Sequence, residues 1–164
     1  MAKLLHLNKF RCASLSMIGR RCGVYVLEKG RITCEGRLIL NDDVMLYSKG
    51  VLTLGKNLGV NQYSRIVCHD SIKIGDNVTI GQMVGILDHD HHYELKSDQL
   101  KLDGYATAPI EIGDNVWIGD KATILKGVTI GNNVVVGAHT LVNKDVPSNV
   151  VVAGSPFRII KEIH

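Results

Sequence analysis

From Ile74 onward the sequence advances in steps of six, a period that few chain geometries accommodate. IGDNVT, IGQMVG and ILDHDH run consecutively, and after an interruption IGDNVW, IGDKAT, ILKGVT, IGNNVV, VGAHTL and VNKDVP follow. The aliphatic first position falls at Ile74, Ile80, Ile86, Ile112, Ile118, Ile124, Ile130, Val136 and Val142. The fifth is small or β-branched at Val78, Val84, Val116, Ala122, Val128, Val134, Thr140 and Val146, and the second is often Gly. Six residues give no consistent face on a helix of 3.6 residues per turn, and simple alternation would turn every second residue inward. A short extended run ending in a sharp corner fits: the first residue points inward, the fifth fills a smaller space, and Gly, Asn and Asp make the corner. Three such sides close a triangular coil, and coils stacked at roughly 4.8 Å merge their aliphatic positions into one core. With 45% hydrophobic residues but only 5% aromatic ones, that core is built from Ile, Val and Leu.

Read backward, Leu54, Val60 and Ile66 form an earlier coil, and Cys34, Leu40 and Leu46 a more degenerate one. The eight-residue steps Leu46 to Leu54 and Ile66 to Ile74 place a small loop at the third corner. From Ile86 to Ile112 that corner carries roughly eighteen further residues, and long loops on a regular scaffold commonly carry function. This excursion holds GILDHDHHYE, with His89, His91 and His92 in close succession. The expected organisation is a basic cap over 1–33, a solenoid over 34–146 with its loop at 87–111, and a C-terminal segment over 147–164.

The remaining composition narrows the class. A net charge of +3 gives no argument for nucleic acid. Cys12, Cys22, Cys34 and Cys68 form no CxxC pair and read as free thiols in a reducing compartment. Residues 1–22 carry Lys3, Lys9, Arg11, Arg20 and Arg21 with no acid among them, yet no apolar run there is long enough for a signal or membrane span. That segment reads as a cap or partner-contacting arm, with contact to an anionic membrane surface as the alternative.

The run IEIGDNVWIGDKATILKGVTIGNNVVVGAHTLVNKDVPSNVVVAGSPFRII resembles the hexapeptide-repeat acyltransferases, and within them the galactoside, maltose and polysaccharide O-acetyltransferases. The resemblance covers about residues 34–161. It implies an all-β, left-handed parallel β-helix of about five coils and acetyl-CoA as acyl donor. It also implies a homotrimer with active sites between subunits, acting on a sugar hydroxyl in the cytoplasm or at the inner membrane face. The family's general base lies five residues after a hexapeptide start, which is His91 counted from Ile86; His89 is the competitor. An imidazole suits the task, since a sugar hydroxyl must lose its proton as it attacks the thioester. Direct transfer needs no acyl-enzyme, and no cysteine lies in the loop.

The resemblance carries over further positions. Asn61 matches an acceptor-contacting Asn, and His69 stands where these enzymes often place an acid; solvated corner residues are the plain alternative for both. Asp88 or Asp90 would orient an imidazole by accepting its second N–H. Trp117 breaks the small-residue pattern at an outward position and would wall the acceptor pocket or meet a subunit. Coenzyme A is assigned to Asp120, Ala138, Asn143, Lys144, Arg158 and Lys161, the last cations meeting its phosphates. Departures from the family pattern are Lys126 for a common Pro, His139 for a Gly, and GSPFR for a GNPAK-like segment.

Three other readings stay open at this level. A zinc hydratase of the γ-carbonic anhydrase kind shares the solenoid, and His69 and His89 each stand three residues past a hexapeptide start, one coil apart. The HxxxxH spacing of those enzymes is absent, and no metal site is assigned. An amino-sugar N-acetyltransferase would use an amine acceptor, and a non-catalytic scaffold would need none of these residues.

Overall fold

The computed structural model describes residues 9–12 and 16–164, together with the backbone of strand Lys3–Leu5. Residues 1–2, 6–8 and 13–15 of the basic segment 1–22, and the side chain of Lys3, lie outside what is described. The chain winds into a parallel β-solenoid with three faces. The first face has seven strands: Lys3–Leu5, Gly23–Val26, Met45–Ser48, Arg65–Cys68, Gly85–Leu87, Thr123–Ile124 and Leu141–Val142. The second has six: Phe10–Arg11, Arg31–Cys34, Val51–Leu54, Ser71–Ile74, Ile110–Ile112 and Thr129–Ile130. The third has eight: Met17–Ile18, Leu38–Leu40, Leu58–Val60, Thr79–Ile80, Trp117–Ile118, Val135–Val136, Val150–Gly154 and, antiparallel at the end, Phe157–Glu162.

Every hexapeptide start pairs with its counterpart one coil away. Leu54, Ile74, Ile112 and Ile130 form one column, Val60, Ile80, Ile118 and Val136 a second, and Ile66, Ile86, Ile124 and Val142 a third. All are buried, as are the fifth-position residues from Val78 to Val146. The seven strands of the first face exceed the expected five coils. Ile18 pairs with Leu40 and Val24 with Leu46 in an additional coil, whose unit keeps Gly19 at the second position but carries Arg20 and Arg21 where IGDNVT and IGDNVW have Asp and Asn. Its cations Arg20 and Arg21 meet Asp42 and Asp43 of the next coil at 3.0 and 2.5 Å.

The corners explain the polar letters of the repeat. Asn57, Asn77, Asn115, Asn133 and Asn149 stack at one corner with φ between 56° and 62°, the left-handed region Asn tolerates. Each amide donates to the next oxygen at 2.8–3.2 Å, so the corner is stitched from coil to coil. Beside it, Asp76, Asp114, Asn132 and Ser148 accept the backbone N–H of the preceding coil's third residue at 2.7–2.9 Å. A Cβ on Gly75 would stand 2.7 Å from the Gly113 carbonyl, which is why the second position is so often Gly. Among the described residues no helix is long and apolar enough to cross a membrane.

Replacing Asn115 with Ala removes two ladder hydrogen bonds and forces an alanine into positive φ, at about 1–2 kcal/mol for the backbone alone. Asn115→Gly keeps the backbone conformation and is expected to lose less. Urea unfolding of both variants checks this order; an alanine variant as stable as the glycine one would contradict it.

Candidate active site

Ile86 stays in its core column, and the next inward residue of that strand is Asp88. In the coils below, this inward corner position is filled by the buried side chains of Ser48 and Cys68, which are paired across the strands. A fully buried carboxylate needs donors, and Asp88 has them from the corner beneath. The His69 N–H donates to its carboxylate oxygens at 2.8 and 3.0 Å and the Asp70 N–H at 2.8 Å. Burial and the charge of Asp88 push the Cys68 thiol up to about 12, so it stays protonated and is no nucleophile.

Where the coil would turn, the chain leaves as an antiparallel hairpin, His89–Lys96 with Gln99–Thr107. Its two-residue tip is Ser97 and Asp98, both at positive φ as hairpin turns require. The Ala108 N–H donating to the Asp88 carbonyl at 2.9 Å closes the foot, and Ile110 re-enters the solenoid beside Ile72. The excursion of the sequence pattern is thus an ordered ribbon.

Its foot gathers the histidines. His89 Nδ1 lies 3.3 Å from Asp88 Oδ1, and its ring stacks on His69 with centroids 3.7 Å apart and planes at 2°. Tyr105 comes from the returning strand opposite His91 and meets three imidazoles. It stands edge-on to His69 at 4.5 Å and to His89 at 5.4 Å, and tilts against His91 at 4.8 Å. Burial first, then the neighbouring His89, lowers the His69 pKa and favours its neutral ring. Because the stacked planes are parallel, the in-plane nitrogen lone pairs of His69 and His89 do not converge on one ion.

Of the loop histidines, His89 has one face covered and only 15% of its side chain exposed, whereas His91 is exposed. His91 borders a groove formed with Met45, Arg65, Val67, Leu87, His89 and Asp90. Asp90 lies on the surface 3.6 Å from Lys126. Asp88, which faces inward, is therefore the carboxylate beside an imidazole.

One chain does not bring the remaining sequence-derived residues to this foot. Asn61 accepts from the Asn41 amide at 2.6 Å and donates to the Ile80 carbonyl at 3.1 Å in another corner. Trp117 stands outward on the third face, 56% exposed, above a shallow surface with Asn77, Thr79 and Asn115. Asp120 lies at the corner after that strand and accepts the Gln82 N–H at 2.8 Å. Ala138, Asn143, Lys144, Arg158 and Lys161 are exposed on the last coils and the strand that closes them, with Lys144 Nζ 5.1 Å from the Phe157 ring centroid. Tyr105 was not singled out by the sequence pattern. The alternation Tyr93, Leu95, then Leu100, Leu102, around Ser97 and Asp98 is the hairpin signal that would have paired it with His91.

Residues 109–144 match the bacterial transferase hexapeptide family of six repeats. The chain is 44% identical over 113 residues to galactoside O-acetyltransferase of Escherichia coli (strain K12), covering 68% of this chain and 54% of that protein. It is 30% identical over 167 residues to a protein of the same organism named as a colanic acid biosynthesis acetyltransferase, WcaF, covering 95% of this chain and 76% of that one. The structure of galactoside acetyltransferase in complex with coenzyme A superposes with a TM-score of 0.58 at 31% identity, covering 87% of this chain and 64% of that chain. The chain thus spans only about half of the galactoside enzyme's length.

The lowered His69 pKa sets a pH dependence for the site. On acidification the unfolded chain takes up the histidine proton before the folded one. Stability is therefore present above the ordinary histidine range and lost as pH falls towards the folded value. The melting temperature is expected to decline as pH falls through the ordinary histidine range. His69→Gln should flatten that decline, and an unchanged slope would contradict the coupling.

Proposed function

The chain belongs to the hexapeptide-repeat acyltransferases, and from that premise we propose that it transfers an acetyl group from acetyl-CoA to a sugar hydroxyl. The observation that carries the reading is the ordered group of imidazoles at the hairpin foot, opening onto a groove through His91. His91 acts as general base: its ring is exposed, and it stands at the family's base position relative to Ile86. His89 is held by Asp88 on one edge and by His69 on one face, and it anchors the root of the hairpin.

The reaction is direct. The acceptor oxygen attacks the thioester carbonyl as His91 takes the hydroxyl proton. The tetrahedral intermediate then collapses to the acetyl ester, and the thiolate of coenzyme A leaves and recovers the proton from the imidazolium. No acyl-enzyme is involved, in keeping with the protonated, buried Cys68. Donor binding is assigned to Asp120, Ala138, Asn143, Lys144, Arg158 and Lys161, the cations meeting its phosphates.

Trp117 and His91 lie on different parts of one chain, so the complete site forms between copies in a homotrimer. The hairpin supports this: Tyr93, Leu95, Leu100 and Leu102 are each more than half exposed, and a lone two-stranded ribbon is marginally stable without a packing partner. The relative named for colanic acid biosynthesis supports an acceptor from bacterial surface polysaccharide synthesis, acetylated in the cytoplasm where acetyl-CoA is made.

Release of the coenzyme A thiol with a panel of hexosides and polysaccharide fragments tests the proposal. His91→Ala is expected to lower kcat by about 10²–10⁴-fold. Full activity in that variant with a dead His89→Gln enzyme would move the base to His89. Thiol release with amino sugars alone would replace the hydroxyl acceptor by an amine.

A further inference from the structure

The first two coils carry a basic groove that the reaction above does not use. Lys9, Arg11, Lys29, Arg31, Gly30 and Thr33 line it at the start of the second face. Lys9 donates to the Glu28 carbonyl at 2.5 Å, and the Glu28 carboxylate is paired with Lys49 at 3.3 Å. Among the described residues Arg11, Lys29 and Arg31 are exposed and have no ion pair. Cations gathered in this way, two of them guanidinium forks, suit a phosphate group.

The groove's position gives it meaning. The strand starts Arg31, Val51 and Ser71 pair across successive coils. Lys29, Lys49 and His69 each stand two residues before one of them, so they climb the same corner of the solenoid. His69 then stacks on His89, and Lys49 Nζ lies 6.0 Å from the centroid of Tyr105, the ring that touches all three imidazoles. At roughly 4.8 Å per coil, Lys29 is about 10 Å from the level of His69. That separation suits a hexose ring carrying one or two phosphates on its anomeric carbon. The acids on this edge are Glu28, already paired, and Asp70, whose N–H is held by Asp88.

We propose that this groove binds the phosphate of a glycosyl phosphate or diphosphate acceptor, so that the sugar extends up the corner to the histidines. The inference rests on the acetyltransferase reading for its reaction, but the anion site is measurable without catalysis. Calorimetry with inorganic pyrophosphate is the first arm. The wild-type chain binds it, salt weakens the binding, and K29A/R31A weakens it at least tenfold while Lys73→Ala, on the same face outside the groove, does not. Both replaced residues are exposed, so the double variant keeps the fold. Absent binding, or equal binding in the double variant, overturns the proposal.

The second arm compares kcat/KM for acetylation of a methyl hexoside, a nucleotide-diphosphate hexose and a polyprenyl-diphosphate hexose in vesicles. A preference of tenfold or more for one phosphorylated acceptor, with a raised KM for it in K29A/R31A, supports the site. It also identifies a soluble or a lipid-linked source. Equal use of the methyl hexoside overturns it. If nothing is acetylated while pyrophosphate binding is lost in the double variant, the acetyltransferase reading fails and the anion site stands.

Discussion

A carboxylate turned into an aliphatic interior is costly unless several donors meet it, and the geometry of this site depends on one that is met. Asp88 sits where the coils beneath place Ser48 and Cys68, and the His69 and Asp70 amides close on it. That contact fixes three things together. It holds the corner bearing His69, places His89 where its ring stacks on His69, and sets the point at which the chain leaves the solenoid for the hairpin. The ribbon then returns Tyr105 against the imidazoles it helped to position.

The scaffold was legible because its rule is local and repeated. A hexapeptide start fixes which residue faces inward, and the columns through Leu54, Val60 and Ile66 follow directly. The first coil was hidden because Ile18 and Val24, which pack against the core, are joined by Arg20 and Arg21 where the marked units carry Asp and Asn. At the site, the proximity of His69 and His89 followed from register, but their face-to-face arrangement did not. It depends on Asp88 taking the inward position, which a count of sixes gives no reason to expect of an acid. Tyr105 and Lys49 were invisible for a different reason: the first needs the hairpin pairing, and the second belongs to a coil whose corner carries no repeat signature.

The distribution of charge along the solenoid gives its ends different characters. Lys9, Arg11, Lys29 and Arg31 collect at the N-terminal coils, and Lys144, Arg158 and Lys161 at the C-terminal ones, with the imidazole group between them. In the proposed reaction the acceptor's phosphate and the donor's phosphates approach the hairpin foot from opposite ends. Such an arrangement keeps two anionic substrates apart while bringing hydroxyl and thioester together, which favours a ternary complex over a covalent relay.

The most direct measurement is a crystal structure of the protein with coenzyme A and a hexose 1-phosphate. An acceptor hydroxyl is expected within about 2.6–3.2 Å of a His91 ring nitrogen, beneath the Tyr105 hairpin. The acceptor phosphate should lie along the corner of Lys29 and Lys49. An acceptor bound on another face, with His91 and the Asp88-anchored imidazoles touching neither ligand, would contradict it.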